Sequence, residues 1–169
     1  YFNAPQRSCV FENDGFGHYG LAPIWESEVS HTLDVAWGDR NGDKLLDLLL
    51  VNHDAPHVWY DNIGEELQSE PSWLASGEAF EGNTAALGDI DGDGVLDWVI
   101  SETAQERDYG IIRAWCGGEL CFEKEGRNTD HFSALVLADL NADRNLDLIY
   151  GAWWGSLKAH LNRDSILEE

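Results

Sequence analysis

The chain has 169 residues, of which 32 are Asp or Glu and only 10 are Lys or Arg, so that its formal net charge is −22 at pH 7. This acidic excess argues against nucleic acid as a partner, because such binding depends on neutralising phosphates with Lys and Arg, and it argues against an anionic membrane surface for the same reason. An apolar run of about 18 residues is absent from the sequence, so membrane insertion is not expected.

Residues 1–28 are predicted to be the end of a repeated β-sheet unit. Residues 8–15 align with residues 57–64, and residues 22–25 align with residues 70–73. These two segments are therefore expected to be the third and fourth strands of such a unit.

Three acidic loops follow at equal intervals, at residues 39–47, 89–97 and 139–147. Each loop has Asp or Asn at positions 1, 3 and 5 and Asp at position 9, and a backbone carbonyl is available at position 7. Hard oxygen ligands in this number suit Ca²⁺, which accepts six to eight of them, better than Mg²⁺. We therefore expect up to three calcium sites. The expected ligands are Asp39, Asn41, Asp43, Leu45 and Asp47 in the first loop, Asp89, Asp91, Asp93, Val95 and Asp97 in the second, and Asp139, Asn141, Asp143, Asn145 and Asp147 in the third.

Two other interpretations of these loops are less favoured. An EF-hand requires a bidentate Glu at position 12 between two helices, whereas Leu50, Ile100 and Tyr150 occupy that position here. A metal-free set of Asx turns is a common use of such residues. It does not explain why mutually repelling acids are placed together three times.

Short apolar runs precede and follow each loop, and such runs predict buried strands. The sequence therefore predicts an all-β fold built from blades, each a sheet of four antiparallel strands, with a period near 50 residues. In this single array, residues 1–28 end one blade, residues 29–77 and 78–128 form two complete blades, and residues 129–169 form an incomplete one. Closed propellers have about four to eight blades. Roughly three blades are thus expected to form a partial or open propeller, to belong to a longer polypeptide, or to be completed by other copies through strand exchange.

The loop pattern D-x-[DN]-G-D-x-x-x-D between apolar strands, followed by a strand such as residues 58–62 and then Gly64, resembles the FG-GAP/VCBS repeat family. That family occurs in integrin α-subunit heads and in many bacterial surface proteins and lectins, and the resemblance implies calcium-loaded β-propeller blades. Lys44 and Arg144 depart from it at loop position 6, where Gly is usual, and Ala142 departs at position 4. Because a non-Gly residue in a left-handed conformation costs about 1 kcal/mol, we expect the first and third sites to bind calcium less tightly than the second.

Two of the three cysteines are candidates for a disulfide, and the position of the turn between them is left open. Cys116 and Cys121 flank a predicted hairpin turn, and they face each other if the turn centres on Gly118 and Glu119 but not if it centres on Gly117 and Gly118. A disulfide there would suit an extracellular setting. Cys9 would then be buried or available for an intermolecular bond.

The Trp and His residues are predicted to be mainly structural. Trp37 and Trp98 flank the loops and are expected in the core, whereas Trp153 and Trp154 point to opposite faces if extended, so one of them is the best candidate for a glycan contact. His31 and His131 each lie eight residues before the first Asp of a loop, which indicates a shared structural place.

Catalysis is not expected. The chain has no H-E-x-x-H, G-x-S-x-G or P-loop motif, and carboxylates committed to a cation cannot also act as a general acid.

Two function classes follow from these features. The first is an extracellular calcium-binding module that serves adhesion or binds a protein or glycan ligand. The second is a structural subunit of an extracellular assembly or filament joined by strand exchange. An accessory domain of a secreted enzyme is a weaker alternative, because a fold does not fix a function.

Overall fold

The computed structural model describes residues 4–76, 81–103, 109–127, 130–153, 155–163 and 166–167. Within these ranges the regular elements are all β-strands, as the sequence predicts. A helix with the length and apolar character needed to cross a membrane does not occur among these residues.

The strands form three antiparallel sheets and a short terminal pair. Sheet I contains β1 (Gln6–Val10), β2 (Trp25–Gly38), β3 (Asp47–His53), β4 (Val58–Tyr60) and β5 (Trp73–Leu74). Sheet II contains β6 (Gly82–Gly88), β7 (Asp97–Glu102), β8 (Ile111–Cys116) and β9 (Glu119–Glu125). Sheet III contains β10 (Phe132–Ala138), β11 (Asp147–Ala152) and β12 (Lys158–His160), and β13 (Asn162–Arg163) pairs with β14 (Ile166–Leu167). Neighbours in each sheet are consecutive in the chain, so each sheet is a meander.

Strand β2 is long because it pairs with both β1 and β3. Its first part pairs with β1, where Val10 lies opposite Trp25, and its last part pairs with β3, where Trp37 lies opposite Leu48. The expected blade boundary at 28/29 falls inside this strand, and those at 77/78 and 128/129 lie outside the described residues.

The central strands are buried on both faces. In β3, Leu48 and Leu50 pack against Trp25 on one face, while Leu49 and Val51 pack towards sheet II on the other. Side chains alternate between the two faces of a strand. A strand with two covered faces is therefore apolar throughout its middle, as the uninterrupted Leu run of β3 is.

Sheets I, II and III stack face to face in chain order. Between sheets I and II, the rings of Trp59 and Trp98 are 5.4 Å apart and those of Trp73 and Trp98 are 5.0 Å apart, both edge to face, a favourable geometry for aromatic pairs. Between sheets II and III, Val99 packs with Leu148 in the second shared core. Sheet II thus presents the face of Trp98 to sheet I and its opposite face, that of Val99, to sheet III.

Glycine at the C-terminal end of β2 and of β6 permits this close stacking. A Cβ atom on Gly38 would collide with Leu96, and one on Gly88 would collide with Leu146. Leu96 and Leu146 both occupy loop position 8. The second and third acidic loops are therefore packed against the end of the preceding sheet.

The outer faces of sheets I and III are only partly covered by the described residues. Trp37, which the sequence predicts in the core, is 44% exposed, so that prediction is wrong, whereas Trp98 is buried as predicted. Trp37 lies on the face of sheet I away from sheet II, where β1 and the start of β2 give only partial cover. At the other end of the stack, Val136 is 52% exposed, and Ile149 is only partly buried.

Paired substitutions at equivalent positions test this stacking. Leu49 and Ile149 are 100 residues apart at the same position of the repeat, but Leu49 is fully buried between two sheets. Leu49→Ala should lower the free energy of unfolding by about 2–5 kcal/mol, and Ile149→Ala by roughly 1 kcal/mol, as measured by urea denaturation of dilute protein. Equal losses would contradict a partly covered outer face on sheet III.

Candidate metal centre

Each acidic loop is closed by its own carboxylates, beginning at position 1. The carboxylate of Asp39 accepts hydrogen bonds from the backbone N–H groups of Gly42 (2.8 Å) and Lys44 (2.9 Å). The carboxylate of Asp89 accepts from Gly92 (2.8 Å) and Gly94 (3.0 Å) in the same way. Asp139 likewise accepts from the N–H of Arg144 at position 6 (2.9 Å), but its other donor is Asp143 at position 5 (3.2 Å) instead of position 4. The first Asp thus curls the loop around its side chain.

Positions 3 and 5 each accept one further backbone bond. In the second loop, Oδ1 of Asp91 accepts from the N–H of Asp93 (3.1 Å), and Oδ1 of Asp93 accepts from the N–H of Val95 (2.7 Å). One oxygen of each carboxylate is used in these bonds, so its second oxygen is left for another partner. The first and third loops have the same bonds, with Asn41 and Asn141 at position 3.

The carboxylates of the second loop converge on one region. Ligand oxygens of Asp89, Asp91 and Asp93 all lie within 4.8 Å of one another. Oxygens that share a calcium ion at 2.3–2.6 Å are at most about 5 Å apart, so this donor set fits Ca²⁺ in both chemistry and spacing. The three acids carry like charges, which a divalent cation would neutralise.

Position 9 has a second role that the sequence did not reveal. Asp47, Asp97 and Asp147 are fully buried, and one oxygen of each accepts the N–H of loop position 2, at 2.8–3.0 Å. The other oxygen of Asp47 accepts the N–H of Asn62 (2.8 Å), and that of Asp147 accepts the N–H of Asn162 (2.8 Å). These carboxylates therefore join the loop to the segment that follows the third strand. Asn62 and Asn162 each lie 15 residues after their Asp partners. This shared spacing is the feature of the sequence from which the link could have been predicted.

Burial makes the charge of this position-9 carboxylate costly. Desolvation raises the pKa of Asp97 above its ordinary value, although the N–H groups of Ile90, Gly117 and Asp91 act to lower it. A cation beside the loop would oppose that desolvation, because an opposite charge favours the ionised form.

Loop positions 4 and 6 adopt the left-handed conformation expected for Gly. Position 6 has φ values of 74° at Lys44, 87° at Gly94 and 77° at Arg144, and position 4 has a φ of 63° at Ala142. The departures from the repeat pattern at Lys44, Ala142 and Arg144 therefore fall where L-residues are strained. Only the second loop has Gly at both positions.

The Cys116–Cys121 disulfide is present, with a Cα–Cα distance of 5.7 Å. The turn centres on Gly117 and Gly118, the alternative for which the sequence predicts that the thiols do not face each other. Cys116 lies opposite Glu119, as expected for this turn, and a register shift leaves Cys121 without a directly opposed residue, so the disulfide joins two cysteines that are not directly opposed in the ladder. Cys9 is a free, exposed thiol.

This hairpin also touches the second loop, because the N–H of Gly117 donates to Asp97 at 3.1 Å. Sγ of Cys116 lies near the carboxylates of Asp91 and Asp97. Since that sulfur is in a disulfide, it is not a thiolate donor for a metal.

The candidate glycan contact is only partly described. Trp153 is 55% exposed and lies beside the ring of His131, at a centroid distance of 6.3 Å. Trp154 lies outside the described residues.

Stacked antiparallel sheets with an acidic loop between the first and second strands define a β-propeller-type repeat module. Residues 39–100, which contain the first two loops and the strands between them, match the model of the FG-GAP-like repeat family. The matched segment is an FG-GAP-like repeat, which confirms the resemblance seen in the loops.

The chain is also similar to integrin alpha-V of Gallus gallus, with 24% identity over 167 residues and 88% of the chain covered. It spans only 15% of the length of that protein.

Relief of strain at position 6 is testable in the third loop. Arg144→Gly should raise the free energy of unfolding by roughly 0.5–1 kcal/mol, because Gly adopts a φ near 77° without the Cβ penalty. Arg144→Ala is the matched control, since it removes the same charge but keeps the Cβ atom. The stability of both variants is measured by urea denaturation in the presence of calcium. Equal stability of the two would contradict backbone strain at position 6.

Proposed function

We propose that this chain is an extracellular, calcium-binding β-propeller repeat module that serves adhesion or binds a protein or glycan ligand and has no catalytic role. The observation that carries the proposal is the convergence of Asp89, Asp91 and Asp93 in a loop that resembles two others at a fixed interval. The match to the FG-GAP-like repeat family and the similarity to integrin alpha-V support it.

In this proposal the oxygens at loop positions 1, 3, 5, 7 and 9 hold one Ca²⁺ in each loop. Oxygens at positions 1, 3 and 5 have lone pairs beyond those used by backbone N–H groups, and position 7 supplies its carbonyl. The blades are residues 29–77, 78–128 and 129–169, with residues 1–28 ending a preceding blade. Calcium then stabilises each blade corner, and the exposed rims are left to contact a ligand.

The extracellular assignment rests on two supporting observations. A formed disulfide between Cys116 and Cys121 is typical of oxidising compartments. The relative in Gallus gallus is an integrin by name, and we infer a cell-surface or secreted setting for this chain from that similarity.

Calcium binding is tested at the second loop by Asp91→Asn together with Asp93→Asn. Asn keeps an oxygen for the backbone hydrogen bonds of these positions but removes two negative charges. Isothermal titration should show one fewer Ca²⁺ per chain. The rise in melting temperature on adding calcium should shrink, because a ligand of the native state stabilises it by about 2.7 kcal/mol at 100 times its Kd.

The matched control is Glu65→Gln together with Glu66→Gln, which removes two exposed acids outside the loops. This pair should leave calcium stoichiometry unchanged. If the unmodified chain melts at the same temperature in calcium and in chelator, the proposed role of the ions is wrong.

A second candidate function is a structural subunit that assembles with other copies. The partly covered outer faces of sheets I and III support it, because they present the two sides of a junction that the chain already forms twice. Val35 and Trp37, exposed on sheet I, correspond in register to Ala85 and Leu87, which pack into the core between sheets I and II. Val136, exposed on sheet III, corresponds to Ala86, which packs between sheets II and III.

Assembly is tested by Val136→Asp, which places a charge on the outer face of sheet III without disturbing a buried position. Sedimentation of the unmodified chain at micromolar concentration should show oligomers, and the variant should be at least tenfold weaker in association. Leu120→Asp, at an exposed position on β9 at the edge of sheet II, is the control. A stable monomer of the unmodified chain would contradict assembly.

A further inference from the structure

A pair of imidazoles lies across two neighbouring strands of sheet I, away from the acidic loops. His31 on β2 and His53 on β3 are directly opposed in the register, and their ring centroids are 6.4 Å apart. Opposed residues of an antiparallel pair have Cβ atoms about 5 Å apart. The first acidic loop begins eight residues after His31, so the pair lies at the end of the sheet opposite to that loop, about 26 Å from it along the strand.

A carboxylate lies within reach of both rings. Oδ2 of Asp54 is 3.9 Å from Nδ1 of His31 and 3.5 Å from Nε2 of His53. Asp54 follows β3 directly and has a φ of 60°, a left-handed conformation that is strained for an L-residue. The turn therefore holds this side chain beside both imidazoles at a cost in backbone energy.

The arrangement is not required by the repeat. The positions of His31 and His53 are taken by Glu81 and Thr103 in the second repeat and by His131 and Trp153 in the third, at intervals of 50 and 100 residues. In these repeats the same backbone pairing exists, with the N–H of Thr103 bonded to Glu81 (2.8 Å) and that of Trp153 to His131 (3.0 Å). A His pair is thus specific to sheet I.

These three donors suit a different ion from the loops. Two imidazole nitrogens and one carboxylate oxygen are typical ligands of Zn²⁺ and of Co²⁺, Ni²⁺ or Cu²⁺, whereas calcium prefers oxygen alone. Ligand atoms at 2.0–2.2 Å around a tetrahedral ion are about 3.4 Å apart, close to the 3.5 Å between His53 and Asp54. The two rings must move closer together for both to share one ion with Asp54, which rotation about their side-chain bonds allows.

Access from solvent is also present. Asp54 is largely exposed, and the side chain of His31 is 21% exposed. An ion can therefore enter from the surface and keep water in its remaining coordination position.

We propose that His31, His53 and Asp54 form a binding site for a divalent transition-metal ion of the zinc class, separate from the calcium loops. With three protein ligands and one open position, the site would hold the ion and could bridge it to an acidic or imidazole group of a partner.

The test uses the full chain in saturating calcium, so that the oxygen loops are occupied, with Zn²⁺ in titration calorimetry and Co²⁺ in visible absorption. One Zn²⁺ per chain should bind at micromolar concentration, and Co²⁺ should give tetrahedral d–d bands. His31→Ala and His53→Ala should each weaken binding at least tenfold. His131→Ala, at the same register position of sheet III, should leave it unchanged.

Asp54→Gly distinguishes loss of a metal ligand from loss of folding, because Gly removes the carboxylate but also relieves the strain of the left-handed backbone conformation. This variant should melt no lower than the unmodified chain in metal-free buffer and should still bind Zn²⁺ more weakly. The proposal is overturned if the His variants bind Zn²⁺ as the unmodified chain does, or if His131→Ala weakens binding equally. The Asp91→Asn, Asp93→Asn variant should retain zinc binding, so failure of the zinc site and failure of the calcium proposal are distinguishable.

Discussion

The buried carboxylate at the end of each acidic loop is the constraint on which the rest of the fold depends. Asp47, Asp97 and Asp147 receive backbone hydrogen bonds from their own loop and from the chain beyond the third strand. Removal of such an acceptor would leave several buried donors unsatisfied, at a cost of about 1–3 kcal/mol each. The same carboxylate is an unfavourable charge in a buried place. One residue thus closes the corner and, in the proposed calcium site, supplies a ligand to the cation.

Part of the acidic charge of the chain follows from this design. Acids that organise the three loops account for ten of the 32 Asp and Glu residues. Elsewhere, a buried carboxylate has partners within the protein: Glu102 contacts Arg113 at 2.6 Å and lies 3.5 Å from His57, and despite desolvation these contacts keep the pKa of Glu102 below its ordinary value. The guanidinium of Arg113 stabilises the acid between sheets I and II, whereas an external cation is proposed for the loops.

Much of the fold was predictable because the repeat is explicit. Apolar runs on either side of each loop predict the first two strands of each sheet, and the left-handed positions follow from the Gly pattern. The exposure of Trp37 was not predictable from its flanking residues, because burial depends on which sheet covers that face. Formation of the disulfide could not be decided from the turn register, because Cys116 and Cys121 are bridged although they are not directly opposed. The His31 and His53 pair was also missed, because the two residues become neighbours only through strand register.

The face-to-face order of the sheets has a consequence for how the chain opens. Sheet II has a neighbour on each side, whereas sheets I and III each have one main sheet junction. In an array with nearest-neighbour coupling, end units fray more readily than the middle one. Amide protons of Val99 and Ile100 should therefore exchange with deuterium more slowly than those of any strand in sheet III, and thermal motion should decrease from the ends of the stack towards its centre.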